Sequence, residues 1–522
     1  MLVLKAAMAM RTSLLLLFLF IASLYDLPVC LAKDQIRIAY FSQDPPSIDS
    51  LSPSFDPDSY AVIAQLFDTL VYMDLDGTFK PGLATEWRQL SPTRWKFSLR
   101  KNVKFHNGEI FDANAVKFTF DYILNPKNNS GNRWIFNSLD KVSLVENEPY
   151  EIIFDTKFPD GMFLNRFNLF GSICPPQYIK EKGFVYFQNN PIGTGPYQFV
   201  EWSRGKEIIL RKNPNYWMTG IPYIENVHFV LQEQKKWIEG FVDDKIDFIP
   251  NLGGSHTSLL MKHAKGHARI IKRPVLLSYW VMLKNHGSLA DIRVRKALNY
   301  AVNKADIIKF ADFGNALPMA SLGKQGEFGA NEGLNAYFYD KQKARALLSE
   351  SGVSLPLTYK VLVADVAEPA AKIIQRNLAD IDINLQLEVV SRSEWTKRVV
   401  VYKIITGKRP DYDMVINLVD NPIYNLAFHA GLFLESSSPW SLLQSDEFDE
   451  KLADSLMVTD TEVHEKKLKD LDQYIHENAL MLFTTQKIIT AAIRNNFDIH
   501  QFGANGHLGY EVLSNARELQ TP

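Results

Sequence analysis

His256, His263 and His267 are spaced by 7 and 4 residues, which would set three imidazoles on one helical face, and a pair four apart can share a metal ion. Gly266, however, is expected to end that helix before His267, and Lys262 and Lys265 mark the segment as solvated surface. Cys174 lies in Gly171-Ser172-Ile173-Cys174-Pro175-Pro176 without a nearby histidine to take its proton, so a buried apolar thiol is expected rather than a nucleophile. His476-Glu477 is followed by Leu480 where a zinc-protease helix needs its second histidine. Gly193-Thr194-Gly195-Pro196 is no dinucleotide loop, because Pro196 withholds an amide donor and no helix pattern follows; a turn between strands is expected. Asp243 and Asp244 are adjacent and would diverge on a helix rather than converge on a substrate. The expectation is a protein that is not an enzyme and uses no metal or cofactor.

The positive signal is aromatic: 33 Phe, 21 Tyr and 9 Trp. Most belong to cores, but Tyr279, Trp280, Trp395, Tyr402 and Trp440 lie outside the clearest amphipathic stripes and are candidates to line a cleft that accepts varied side chains. The elements that would position them are of both kinds. Residues 94 to 100 alternate strictly, as do Tyr150, Ile152 and Phe154, which predicts half-buried strands. Asp291 is placed to cap a helix whose stripe is Val294, Leu298, Ala301 and Val302, and Asp340 to open another that stops at Gly352. A helix over 367–379 leads into a strand carrying Ile383, Leu385, Leu387 and Val389. The class is α/β, with strands and turns concentrated in the first half.

The chain has 522 residues, enough for two or three cores, and 57 basic against 59 acidic side chains give a net charge of -2. That balance excludes the basic footprint of a nucleic-acid binder. Lys5 and Arg11 precede an apolar run from Leu14 to Leu24, too short to span a bilayer and suited to a secretory signal, with Cys30 and Ala32 at the minus-three and minus-one positions of a cut after Ala32. Residues 1–32 are therefore expected to be a signal peptide; the alternative is lipid attachment at Cys30, for which Leu27-Pro28-Val29-Cys30 has a partial likeness to a lipobox.

An ordered set of motifs then resembles the family 5 extracellular solute-binding proteins, the dipeptide, oligopeptide and nickel group that serves ABC importers. The set begins with 44–49 (Asp-Pro-Pro-Ser-Ile-Asp), similar to the family's opening strand, and 81–87 (Pro-Gly-Leu-Ala-Thr-Glu-Trp). The diagnostic stretch from Trp95 to Gly108 follows, then Gly193-Thr194-Gly195-Pro196-Tyr197 and the segment from Arg211 to Trp217. Residues 291–298, 344–348 and Tyr412-Asp413-Met414 complete it in order.

The resemblance implies a two-lobed periplasmic binding fold: lobe I over 33–271 with an extra subdomain, completed by 490–522, and lobe II over 272–489. Crossings near 272–283 and 484–493 would form the hinge, and the stretch from Trp95 to Gly108 would be scaffold. In peptide-binding members an Asp after the Tyr-Asp-Met strand pairs with the ligand's ammonium group; Asp420 stands close to that place, although the Gly-Trp of the pattern is missing. Asp420 can equally start the turn into Asn421-Pro422. The implied function is capture of short peptides by a monomer in the periplasm, or tethered at the cell surface, for delivery to an ABC permease. Other cargoes remain open, namely an oligosaccharide or a nickel chelate, as does a peptide hydrolase. N-terminal sequencing of the exported form should read from Lys33; a blocked, lipid-modified Cys30 would show tethering instead.

Overall fold

The computed structural model describes residues 34–41, 44–52, 59–73, 78–264, 266–499 and 513–518; the expected signal peptide lies outside them. In chain order the principal strands are β1 (Gln35–Phe41), β2 (Ala84–Ser91), β3 (Arg94–Leu99), β4 (Leu139–Val145), β5 (Glu148–Thr156), β6 (Tyr197–Ser203), β7 (Glu207–Lys212), β8 (Asn226–Leu231), β9 (Phe248–Ile249), β10 (Ala268–Leu283), β11 (Leu357–Ala364), β12 (Ile383–Val390), β13 (Met414–Asp420) and β14 (Thr485–Arg494). A single ladder runs β12-β11-β13-β10-β14-β9-β1-β8-β7-β6. Its two halves meet at β10 and β14, the two crossings anticipated as strands. From Ala268 to Pro274, β10 pairs antiparallel with β14; from Leu277 to Leu283 it pairs antiparallel with β13, and its register with β14 shifts between Pro274 and Ser278. Pro274 has no N–H to donate, so the change of partner falls where the ladder is already interrupted.

The four-stranded sheet β2-β3-β5-β4 forms the extra subdomain. Its buried face carries Trp95, Phe97 and Leu99 from β3 and Ile152 and Phe154 from β5, the residues whose alternation predicted these strands. They pack on the helix α1 (Ala113–Leu124), which Asp112 caps by accepting from the N–H groups of Asn114 and Ala115. Phe120 and Phe154 meet edge to face with ring centres 5.1 Å apart. In the other half, α2 (Ile292–Ala301), α3 (Lys341–Ser351) and α4 (Glu368–Ala379) start and stop close to where expected. Asp291 and Asp340 accept from backbone N–H groups, Gly352 ends α3 at φ +73°, and a single turn over Asp365–Ala367 precedes α4.

Two readings are corrected. Residues 44–49 are irregular and the opening strand is β1, because Pro45 and Pro46 cannot donate to a ladder. The Gly-Thr-Gly-Pro segment links the helix Phe184–Asn189 to β6 rather than joining two strands. Its composition has a packing cause: a Cβ on Gly193 would lie 2.1 Å from the Leu66 carbonyl oxygen, and one on Gly195 would lie 2.5 Å from the Leu66 carbonyl carbon.

The family-like motifs lock one another. Buried Asp68 accepts from Thr194 Oγ1 (2.8 Å), Tyr216 Oη (3.0 Å) and Trp217 Nε1 (2.9 Å). His106 Nδ1 accepts from the Gly193 N–H at 3.2 Å while Nε2–H donates to the Gly195 carbonyl at 3.0 Å, which fixes the neutral tautomer. The stretch from Trp95 to Gly108 is thus scaffold in this structure. Burial pushes the His106 imidazole down to about 4. A histidine whose folded pKa is depressed contributes fully above its unfolded value of about 6.5 and loses that contribution as pH falls toward 4. Denaturant titrations should therefore show a loss of order 3 kcal/mol from this group across that window, and a His106→Gln variant should lack that part of the acid-side slope.

Candidate functional site

At its end β13 delivers Asp420 beside the hinge strand, with Leu277 of β10 as its ladder partner. The chain then turns. The Asn421 N–H donates to the Leu276 carbonyl at 3.1 Å, and the Asn421 side chain accepts from the Ile423 N–H at 3.2 Å and donates to the Asn425 carbonyl at 2.8 Å and to Glu327 Oε1. Asn425 caps α5 (Leu426–Leu434) by accepting from the Ala427 N–H at 2.9 Å. The local sequence explains this shape: Asn at both ends of a short Pro-containing segment offers side-chain acceptors and donors to a turn.

From α5, His429 Nε2–H donates to the Asp420 carbonyl at 2.8 Å, and its Nδ1 accepts from Lys324 Nζ at 3.1 Å. Glu327 Oε2 lies 3.5 Å from that ammonium and accepts from the Lys324 N–H at 3.0 Å. The Lys324 and Glu327 side chains are both 0 % exposed. Burial and then the Lys324 charge drive the His429 pKa well down, so the imidazole is neutral and works as a relay between ammonium and carbonyl. Burial lowers the Lys324 pKa and Glu327 opposes that shift.

The candidate aromatic residues are sorted by the pleat. Trp280 packs against His429 (ring centres 4.5 Å apart) and Phe433 (4.0 Å), Phe433 meets Trp440 at 5.9 Å, and Trp440 meets Trp395 at 5.9 Å. This ladder of rings lies behind β13, and Trp280 and Trp395 are fully packed, 1 % and 0 % exposed. Tyr279 is adjacent to Trp280 on β10 and so points to the opposite face. There the Lys487 ammonium sits 3.7 Å from its ring centre, and the Tyr279 carbonyl accepts from Thr484 Oγ1 at 2.6 Å. By register Asp420 shares the face of Tyr279 and not that of Trp280. Tyr402 stands apart on an outer helix, 40 % exposed. The structure thus places the candidate rings apart: Trp280, Trp440 and Trp395 pack together, Tyr279 lies across the sheet and Tyr402 is on an exposed helix.

Across from the Asp420 turn stands the extra subdomain. Trp134 meets Phe428 of α5 with ring centres 5.7 Å apart, and Asn165 Nδ2 donates to the Ile423 carbonyl at 3.1 Å while its Oδ1 accepts from Asn425 Nδ2 at 3.3 Å. The Gly161 N–H donates to the Leu456 carbonyl at 2.8 Å. Beside this contact is a cavity of about 600 Å³ whose lining includes Arg133, Trp134 and Lys157. Sequence reasoning missed Trp134, Lys324, Glu327 and His429. His429 had a usable signal, a lone polar ring within the apolar run of α5; Lys324 and Glu327 lie in an irregular segment with no periodicity to mark them.

His263 ends the helix Gly254–His263, Gly266 adopts φ +82°, and among the described residues no group of three metal-ligating side chains is assembled. Cys174 is buried with its sulfur 3.1 Å from Ser50 Oγ, and burial raises its pKa, the opposite of an activated nucleophile. No helix among the described residues is long and apolar enough to cross a membrane.

The profile of bacterial extracellular solute-binding proteins, family 5, middle region, matches residues 78–422. The chain belongs to the family 5 solute-binding proteins. It is 26% identical over 490 residues to the glutathione-binding protein GsiB of Pectobacterium atrosepticum, covering 90% of this chain and 92% of that one. It is 28% identical over 334 residues to the nickel-binding periplasmic protein of Escherichia coli, covering 62% of each. Its fold matches the periplasmic binding protein DppA of Helicobacter pylori in complex with the peptide STSA, with a TM-score of 0.75, 22% identity and coverage of 93% of this chain and 98% of that one. The two-lobed architecture is that of this family. Since this family 5 chain uses Trp280 as packing and leaves Tyr402 exposed, Trp280→Ala should lower unfolding free energy by about 3–5 kcal/mol, whereas Tyr402→Ala should change it by no more than about 0.5 kcal/mol; urea unfolding compares the two.

Proposed function

We propose that this family 5 protein captures short peptides between its lobes and delivers them to an ABC permease from the periplasm, working as a monomer. The observation that carries the reading is the placement of Asp420. It ends the strand that pairs with the hinge strand, and its backbone is fixed by His429 and by the Asn421 turn. A peptide ammonium taken out of water needs a charge-assisted partner, and a carboxylate at a strand end between two closing lobes supplies one. The similarity to a glutathione-binding protein supports a peptide cargo.

In this reading lobe I comprises residues 33–271 and 490–522, lobe II residues 272–489, and β10 and β14 are the hinge. The peptide would lie extended, held by backbone hydrogen bonds that tolerate varied side chains. A metal chelate is the second reading; the similarity to a nickel-binding protein favours it.

Calorimetry decides between them. Asp420→Asn keeps the shape and removes the charge, and truncating one side of a buried charge pair costs about 2–5 kcal/mol. Affinity for peptides with a free amino terminus should fall by roughly 30-fold or more, and N-acetylated peptides should bind the unaltered protein poorly and lose little more. Unchanged affinity of the Asn variant for free peptides would contradict the role given to Asp420, and binding of nickel–histidine in place of any peptide would establish the second reading.

A further inference from the structure

The buried pair Lys324 and Glu327 sits directly behind the Asp420 turn, and the two partners grip opposite sides of it. Lys324 Nζ reaches His429 Nδ1 at 3.1 Å, and the other imidazole nitrogen is 2.8 Å from the Asp420 carbonyl. Glu327 Oε1 accepts from the side chain of Asn421, the next residue along. Both charges are wholly enclosed, at 0 % exposure, so salt does not screen them and their fields act on neighbouring charges.

We propose that Lys324 and Glu327 determine the site's selectivity for charged ligand groups: Lys324 reduces the pull of the Asp420 carboxylate on a ligand cation, and Glu327 sets how large that reduction is. This rests on the reading of Asp420 given above. Lys324 does not touch the ligand, because it lies on the Trp280 side of the sheet and, by register, the Asp420 side chain lies on the other. Its action is electrostatic and indirect, that of a residue tuning another. With both charges present the pair is nearly neutral at a distance and Asp420 keeps a moderate attraction for an ammonium. Neutralising Lys324 alone leaves the Glu327 charge to reinforce Asp420; neutralising Glu327 alone leaves the Lys324 charge to oppose it. A purely structural role predicts something different, since loosening the turn weakens every ligand alike.

The test is calorimetry with trialanine and N-acetyl-trialanine on the full protein and on Lys324→Met, Glu327→Gln and the double variant. The quantity read is the ratio of the two dissociation constants, acetylated over free. It should rise by about threefold to tenfold in Lys324→Met, fall by about as much in Glu327→Gln, and return to within about twofold of the starting value in the double variant. A ratio that stays unmoved in Glu327→Gln, or shifts the same way in both single variants, overturns the proposal. If Lys324→Met does not fold, Glu327→Gln and the double variant still decide. Asp420→Asn separates the two ideas. Loss of the free-amine preference in that variant, with an unmoved ratio in Glu327→Gln, removes only this proposal. No change in Asp420→Asn removes the reading of Asp420, and failure of both peptides to bind overturns the peptide cargo and this proposal together.

Discussion

The structure depends on one long strand that changes partner midway. β10 holds β14 along its first half and β13 along its second, and the exchange occurs around Pro274, where the ladder cannot be continuous. Two crossing strands join the halves without a floppy linker. The same point organises the site, because the Leu276 carbonyl receives the N–H of Asn421 and ties the Asp420 turn to the bend. Tyr424, held at φ +58°, packs with Leu276 and Met73 across the same junction, the kind of backbone strain that persists only where its surroundings hold it.

The extra subdomain and the α5 region are in direct contact. Trp134 against Phe428, Asn165 against Ile423 and Asn425, and Gly161 against Leu456 bring groups from distant parts of the chain together. Lys324, Glu327 and His429 are enclosed together and hold the Asp420 turn through the Asp420 carbonyl and the Asn421 side chain.

Much of the fold was legible because its signals are local. The alternation in β3 and β5 and the caps at Asp291 and Asp340 each depend on a few neighbouring residues. The misread opening strand shows the limit of motif likeness: Pro45 and Pro46 forbid a ladder that the resemblance suggested. Asp420 was visible only through the resemblance, as the acidic residue that follows Tyr412-Asp413-Met414 near the family's ammonium-pairing position. The cluster behind it was not, because Lys324 and His429 are 105 residues apart and only the fold brings them together. Tyr279 and Trp280, adjacent in a strand, point to opposite faces, so their candidacies are separate.

The central claim is that ligand is enclosed between lobes that close about β10 and β14. Small-angle scattering of the exported protein, with and without saturating free-amine peptide, tests it most directly. The account predicts a monomer whose radius of gyration falls when peptide is added. A radius unchanged at saturation, with binding verified in the same sample, would contradict it.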